Sequence, residues 1–149
     1  MANLLNQINQ DLVVAQKGRD KVKVSTLRFL LSNVKNAEIE KRAELSDEEV
    51  VLQVQKDAKR HKESIEAFRK AGRDDLLGKE KTELEILSKY LPAQLSREEV
   101  ERVVNEVIEV SGASSPADMG KVMGQVMGKV GAQADGVVVS QLVRDKLSS

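Results

Sequence analysis

Cysteine and tryptophan are missing from this 149-residue chain, and it holds one histidine, one tyrosine, two phenylalanines and two prolines. Without cysteine there is no disulfide, thiolate metal centre or cysteine nucleophile. A lone His61 argues against a histidine-rich zinc centre or a Ser-His-Asp triad, though not against a catalytic carboxylate. Lysine plus arginine number 24 and aspartate plus glutamate 24, so no global basic field advertises a nucleic-acid binder. No eighteen apolar residues run together, so no membrane span is expected. The start, Met1-Ala2-Asn3-Leu4-Leu5, lacks the basic n-region and apolar core of a signal peptide. These absences lead to the expectation of a soluble, cytoplasmic protein without a cofactor, a metal or a membrane partner.

What is present favours helix. Charged residues make up 32% of the chain, and Glu, Lys, Leu and Val dominate the pattern. Straight-chain residues lose little rotamer freedom in a helix. Leu5, Ile8, Leu12 and Ala15 recur at helical spacing, and Gly18 ends that segment. A second helix is predicted from about Asp20 to Arg42, with Leu27, Leu30, Leu31 and Val34 on one face. Ser46-Asp47-Glu48-Glu49 reads as a capping box before a third helix that Gly72 ends. A shorter helix carries Leu84, Leu87 and Tyr90. Pro92 then forces Leu91 out of helical geometry, and Ser96-Arg97-Glu98-Glu99 is a second capping box. The domain boundary is therefore placed there, giving 1–92 as an N-terminal helical domain and 93–149 as a three-helix domain. The latter's helices are predicted over 97–110, from Ser115-Pro116, and from Asp135-Gly136. No segment alternates with period two long enough for a strand, so the fold class is all-α.

The phrase "MGKVMGQVMGKV" repeats a four-residue unit three times. On a wheel of about 100° per residue its Met and Val positions merge into one apolar arc, with Lys121, Gln125 and Lys129 opposite. Gly120, Gly124 and Gly128 form a bare stripe between these faces. Each interior glycine costs on the order of 1 kcal/mol relative to Ala. Three readings compete: a membrane-helix packing motif, which the flanking lysines disfavour; close packing of a neighbouring helix; or approach of a nucleic-acid backbone beside Lys121 and Lys129. Gly120 lies about 100° from Met119, beside the apolar edge, and is expected to pack; Gly128, at about 180°, faces away.

"YLPAQLSREEV", "SSPADMGKVMGQVMGKV" and "ADGVVVSQLVRDKL" together resemble the YqeY family. This is the free-standing form of the tail of GatB, a subunit of the tRNA-dependent amidotransferase acting on misacylated Glu-tRNA or Asp-tRNA. The resemblance covers essentially the whole chain. It implies a helical domain followed by a small three-helix domain. It also implies tRNA contact by this tail, as an appendage of a carbon–nitrogen ligase that uses glutamine as amide donor, without a catalytic centre of its own. Family members usually carry Pro at the position of Gly128, a basic residue at Gln133 and often Lys at Val137. The implied contacts therefore fall on Met119-Gly120-Lys121 and Ala134-Asp135-Gly136.

Charge is segregated along the chain. From Lys17 to Arg42 eight basic residues face three acids, and from Lys56 to Arg73 seven face three. The helix over 97–110 is the reverse, with Glu98, Glu99, Glu101, Glu106 and Glu109. Scarce aromatics leave any RNA recognition to backbone and shape. His61 is read as structural, Asp135 as a helix cap, and the acidic clusters as first-turn charges. The leading expectation is a non-catalytic tRNA-binding helper contacting RNA through Gly120, Lys121, Gly124, Lys129, Asp135, Gly136, Arg144 and Lys146. Its further partners would be an aminoacyl-tRNA synthetase or an amidotransferase component. The alternative is a protein-interaction module with no RNA contact.

Overall fold

A computed structural model describes residues 3–148. Among them the chain forms seven α-helices, two single-turn 3-10 segments and no strand, as the helical periodicity predicts. The chain divides into two compact units, Met1–Leu91 and Pro92–Ser149.

The first unit holds α1 (Asn3–Lys17), α2 (Lys21–Lys41), α3 (Asp47–Lys70) and α4 (Asp74–Ser88). Helix α1 stops because Arg19, rather than Gly18, adopts the left-handed region at φ 55°. Asp20 then caps α2, its carboxylate accepting from the Lys23 N–H at 3.1 Å. The first capping box is complete: Ser46 Oγ accepts from Glu49 N–H at 3.2 Å, and Glu49 Oε1 accepts from Ser46 N–H at 3.1 Å. Both reciprocal bonds satisfy donors that a helix start otherwise leaves orphaned. Gly72, at φ 68°, supplies the left-handed residue in the turn that folds α4 back on α3. The core joins Ile8, Leu27, Leu30, Val34, Val50, Val54, Ala58 and Leu87 from all four helices. Each large side chain buried this way contributes about 1.5–3 kcal/mol.

Tyr90 departs from its predicted place on the fourth helix. That helix ends at Ser88, and Tyr90 follows in a turn, buried, with its hydroxyl donating to Asp11 of α1. Burial first, then Asp11, raises the tyrosine pKa well above its usual value.

The second unit holds α5 (Arg97–Ser111), α6 (Met119–Val130) and α7 (Gly136–Leu147). Only half of the second capping box forms, with Ser96 Oγ accepting from Glu99 N–H at 3.1 Å. The Ser115 side chain makes no capping bond; Pro116–Asp118 forms a 3-10 turn, and Asp118 Oδ2 accepts from Ser114 N–H at 3.1 Å. Proline at the start of that turn costs no hydrogen bond, since its position has no intrahelical acceptor. The core is Val100, Val104 and Val107 against Val122, Val126 and Val130, closed by Val139, Leu142, Val143 and Leu147. Valine is a mediocre helix former, so packing rather than propensity holds these helices.

The segment after Pro92 is tied to the turn before α7. Leu95 N–H donates to Gln133 O at 2.8 Å, Gln94 Nε2 to Ala132 O at 3.0 Å, and Gln133 Nε2 to Ala93 O at 3.3 Å. Gln133 thus serves as a clasp, where the family resemblance has a basic residue.

Candidate functional site

Helix α6 presents three columns. Val122, Val126 and Val130 are buried, Met119, Met123 and Met127 flank them half-buried, and Gly120, Gly124 and Gly128 are exposed beyond the methionines. A Cβ built on any of the three glycines meets nothing within 4 Å. The expectation that Gly120 packs against a neighbouring helix is therefore overturned, whereas Gly128 faces away from the core as its place on the wheel predicts. The core contact is centred on the valines, not on the whole Met-Val arc, which displaces Gly120 by more than about 100° from the contact centre.

The lysines divide around this helix. Lys121 is exposed beside the stripe and makes no ion pair among the described residues. Lys129 lies on the other flank, its Nζ 3.6 Å from Glu106 of α5. Lys146, near the end of α7, also meets α5, with Nζ 3.1 Å from Glu101. Arg144 is exposed on α7. Asp135 caps α7 as read from sequence, accepting from Val137 N–H at 2.9 Å, and Gly136 is the helix's first residue. Lys121 thus stands with Gly120 and Gly124, while Lys129 and Lys146 lean onto the acidic row of α5. Such exposed pairs are worth about 0–1 kcal/mol, so a phosphate can displace their carboxylates at little cost.

Two features of the first unit were not singled out in the sequence. At the α1–α2 elbow, Arg19, Lys21, Arg28 and Phe29 line a groove of about 730 Å³. None of its three cations makes an ion pair among the described residues, and Phe29 is 49% exposed with the Arg60 guanidinium 4.6 Å above its ring. The basic excess between Lys17 and Arg42 was the available signal, but it did not specify a groove.

The second feature is a polar seam between α2, α3 and α4. Asp57 is only 2% exposed, yet its carboxylate accepts from Asn33 Nδ2 at 3.1 Å, Gln53 Nε2 at 3.0 Å and Arg60 at 3.4 Å. That hydrogen bonding offsets the cost of burying its charge. One helical turn on, His61 Nδ1 lies 2.6 Å from Glu80 Oε2 and 3.4 Å from Glu83 Oε2. His61 is therefore a partnered residue facing α4, more specific than the structural histidine read from sequence. Its partners sit nineteen residues and more away, beyond any local motif.

The chain is 36% identical over 126 residues to "Altered inheritance of mitochondria protein 41, mitochondrial" of Kluyveromyces lactis, covering 82% of this chain and 68% of that protein. The protein of the same name from Eremothecium gossypii is 32% identical over 133 residues, covering 87% and 73%. Against one of the subunits of the glutamyl-tRNA(Gln) amidotransferase of Thermococcus gammatolerans the identity is 40% over 86 residues, 55% of this chain but 14% of the longer protein. Both fungal relatives are named as mitochondrial proteins, which overturns the cytoplasmic location expected from the sequence. Composition carries no such address, because a cysteine-free helical chain suits either compartment equally. No helix among the described residues is long and apolar enough to cross a membrane. A family model described as "Yqey-like protein" matches residues 5–147, and the chain belongs to that family.

Proposed function

We propose that this protein is a non-catalytic, tRNA-binding accessory factor of tRNA-dependent amidation or related tRNA metabolism. The observation that carries the reading is the uncovered glycine stripe of α6. Three exposed glycines weaken the helix by on the order of 1 kcal/mol each, and no packing among the described residues compensates. A bare backbone edge suits something that approaches from outside, and Lys121 beside it supplies a phosphate contact. Lys129, Arg144 and Lys146 extend the basic surface once the glutamates of α5 give way. The likeness to part of a glutamyl-tRNA(Gln) amidotransferase supports tRNA as the nucleic acid. An amidotransferase component or an aminoacyl-tRNA synthetase is the corresponding protein partner.

Phosphate contacts release counterions, so log affinity for tRNA should fall linearly with log salt. Replacing Lys121 and Lys129 together by Ala should lower the affinity and flatten that slope while leaving helicity unchanged. Unchanged affinity in the double variant would remove the RNA from α6 and direct attention to the Arg19–Arg28 groove. Loss of all tRNA binding at low salt in the parent would favour the protein-interaction reading.

A further inference from the structure

We infer that His61, Glu80 and Glu83 form a binding site for one divalent transition-metal ion of the zinc type, clipping α3 to α4. One ligand atom from each residue lies within 4.8 Å of the other two. The side chains are 16%, 21% and 13% exposed, shielded enough to favour an ion over bulk water yet open to its entry. Glu80 and Glu83 stand three residues apart on one face of α4, which brings their carboxylates together. His61 reaches them from α3 across the helical hairpin.

Two carboxylates this close repel unless a proton or cation sits between them. Apart from a protonated His61, which would make the trio an ion-pair clasp, the cations nearby do not fill that role. Lys79 is exposed, with Nζ 3.8 Å from the outer oxygen of Glu83, and Arg60 is engaged by Asp57 and Phe29. Asp57 is itself occupied by Asn33, Gln53 and Arg60, so it borders the site without joining the ligand set. A neutral imidazole and two carboxylates carry two negative charges, which a divalent ion balances.

Metal–ligand distances near 2.1 Å in a tetrahedral shell put ligand atoms about 3.4 Å apart. The His61–Glu83 separation already has that value, at 3.4 Å. Glu80, at 2.6 Å from the same nitrogen, would withdraw by less than about 1 Å as the ion replaces the hydrogen bond. A cavity of about 240 Å³, lined by Thr26, Asp57, His61 and Glu83, adjoins the site and has room for water in a fourth position. One nitrogen and two oxygens suit zinc, whereas magnesium and calcium call for a fuller oxygen shell.

The test is calorimetric titration of the chelator-treated full chain with Zn²⁺, with Mg²⁺ as control. One Zn²⁺ per chain is expected, bound at least a hundredfold more tightly than Mg²⁺. His61→Ala, Glu80→Gln and Glu83→Gln should each weaken binding tenfold or more. Zn²⁺ should also raise the melting temperature of the parent and of none of these variants. Circular dichroism identifies any variant that fails to fold, and the remaining two then decide. Zinc binding with the same affinity in folded variants, or no stoichiometric binding by the parent, would reduce the trio to an ion-pair clasp and overturn the proposal.

Discussion

Asp57 and Thr26, the buried polar residues among those described, both lie in the first unit, whereas the buried core of the second is valine, leucine and alanine alone. The first unit brings polar side chains inward and partners them across three helices. The second keeps a dry core and leaves its distinctive feature, the glycine stripe, bare on the surface. A buried polar network is strongly specified by its geometry, since each member left unpaired costs more than it contributes when paired. A bare stripe contributes nothing to the fold that holds it. The first unit is distinguished by contacts it makes, the second by contacts it leaves unmade.

The sharpest way to break this contrast is to remove the centre of the polar seam. Asp57→Ala leaves the amides of Asn33 and Gln53 without their acceptor and should cost about 2–3 kcal/mol in urea denaturation. A loss under about 0.5 kcal/mol would mean that the seam relaxes to water and is not a specified network. In the dry core, Val126→Ala should cost about 2 kcal/mol through lost burial and an unfilled cavity. Amide exchange should accelerate across residues 92–149 and stay unchanged in the first unit. Equal acceleration in both units would show that they unfold together. A fragment of residues 93–149 should fold by itself, though weakly, because so small a core is marginal.

Smaller effects sharpen the comparison further. Gly120→Ala and Gly128→Ala should each stabilise the protein by about 0.4–1 kcal/mol, because the new methyl meets only solvent and the helix gains propensity. A lower melting temperature for either would restore the packing explanation. Tyr90 adds no pH dependence near neutrality, but its raised pKa makes the first unit sensitive to alkali. The stability it contributes is fully present below the unfolded tyrosine pKa of about 10 and is lost as pH rises through the higher folded value. As the sole tyrosine in a chain without tryptophan, it can be followed by tyrosinate absorbance. Asp11→Asn should move that ionisation to lower pH, and Tyr90→Phe should remove the alkaline sensitivity.

The helices were legible because their signals are local. Asp20, Ser46, Ser96 and Asp135 cap helices where hydrophobic spacing begins, and each accepts from a backbone N–H two or three residues on. The glycine stripe was legible too, but its orientation was not. The wheel gives the apolar arc, whereas which part of that arc meets α5 and α7 depends on neighbours that no wheel contains. The first unit's chemistry was hidden for the same reason. Asn33 and Asp57 are 24 residues apart, and His61 and Glu80 are 19 apart, so neither pairing leaves a motif. Tyr90 was assigned to a helix by spacing, while its actual partner is Asp11, 79 residues away.

The claim at the centre of this account is that the bare edge of α6 exists for RNA to approach. Its most direct test is tRNA affinity, measured at fixed low salt, for the Gly120→Ala, Gly124→Ala and Gly128→Ala triple variant beside the parent. The account predicts a protein that melts higher than the parent yet binds tRNA at least tenfold more weakly. A variant that melts higher and binds tRNA as the parent does would contradict it.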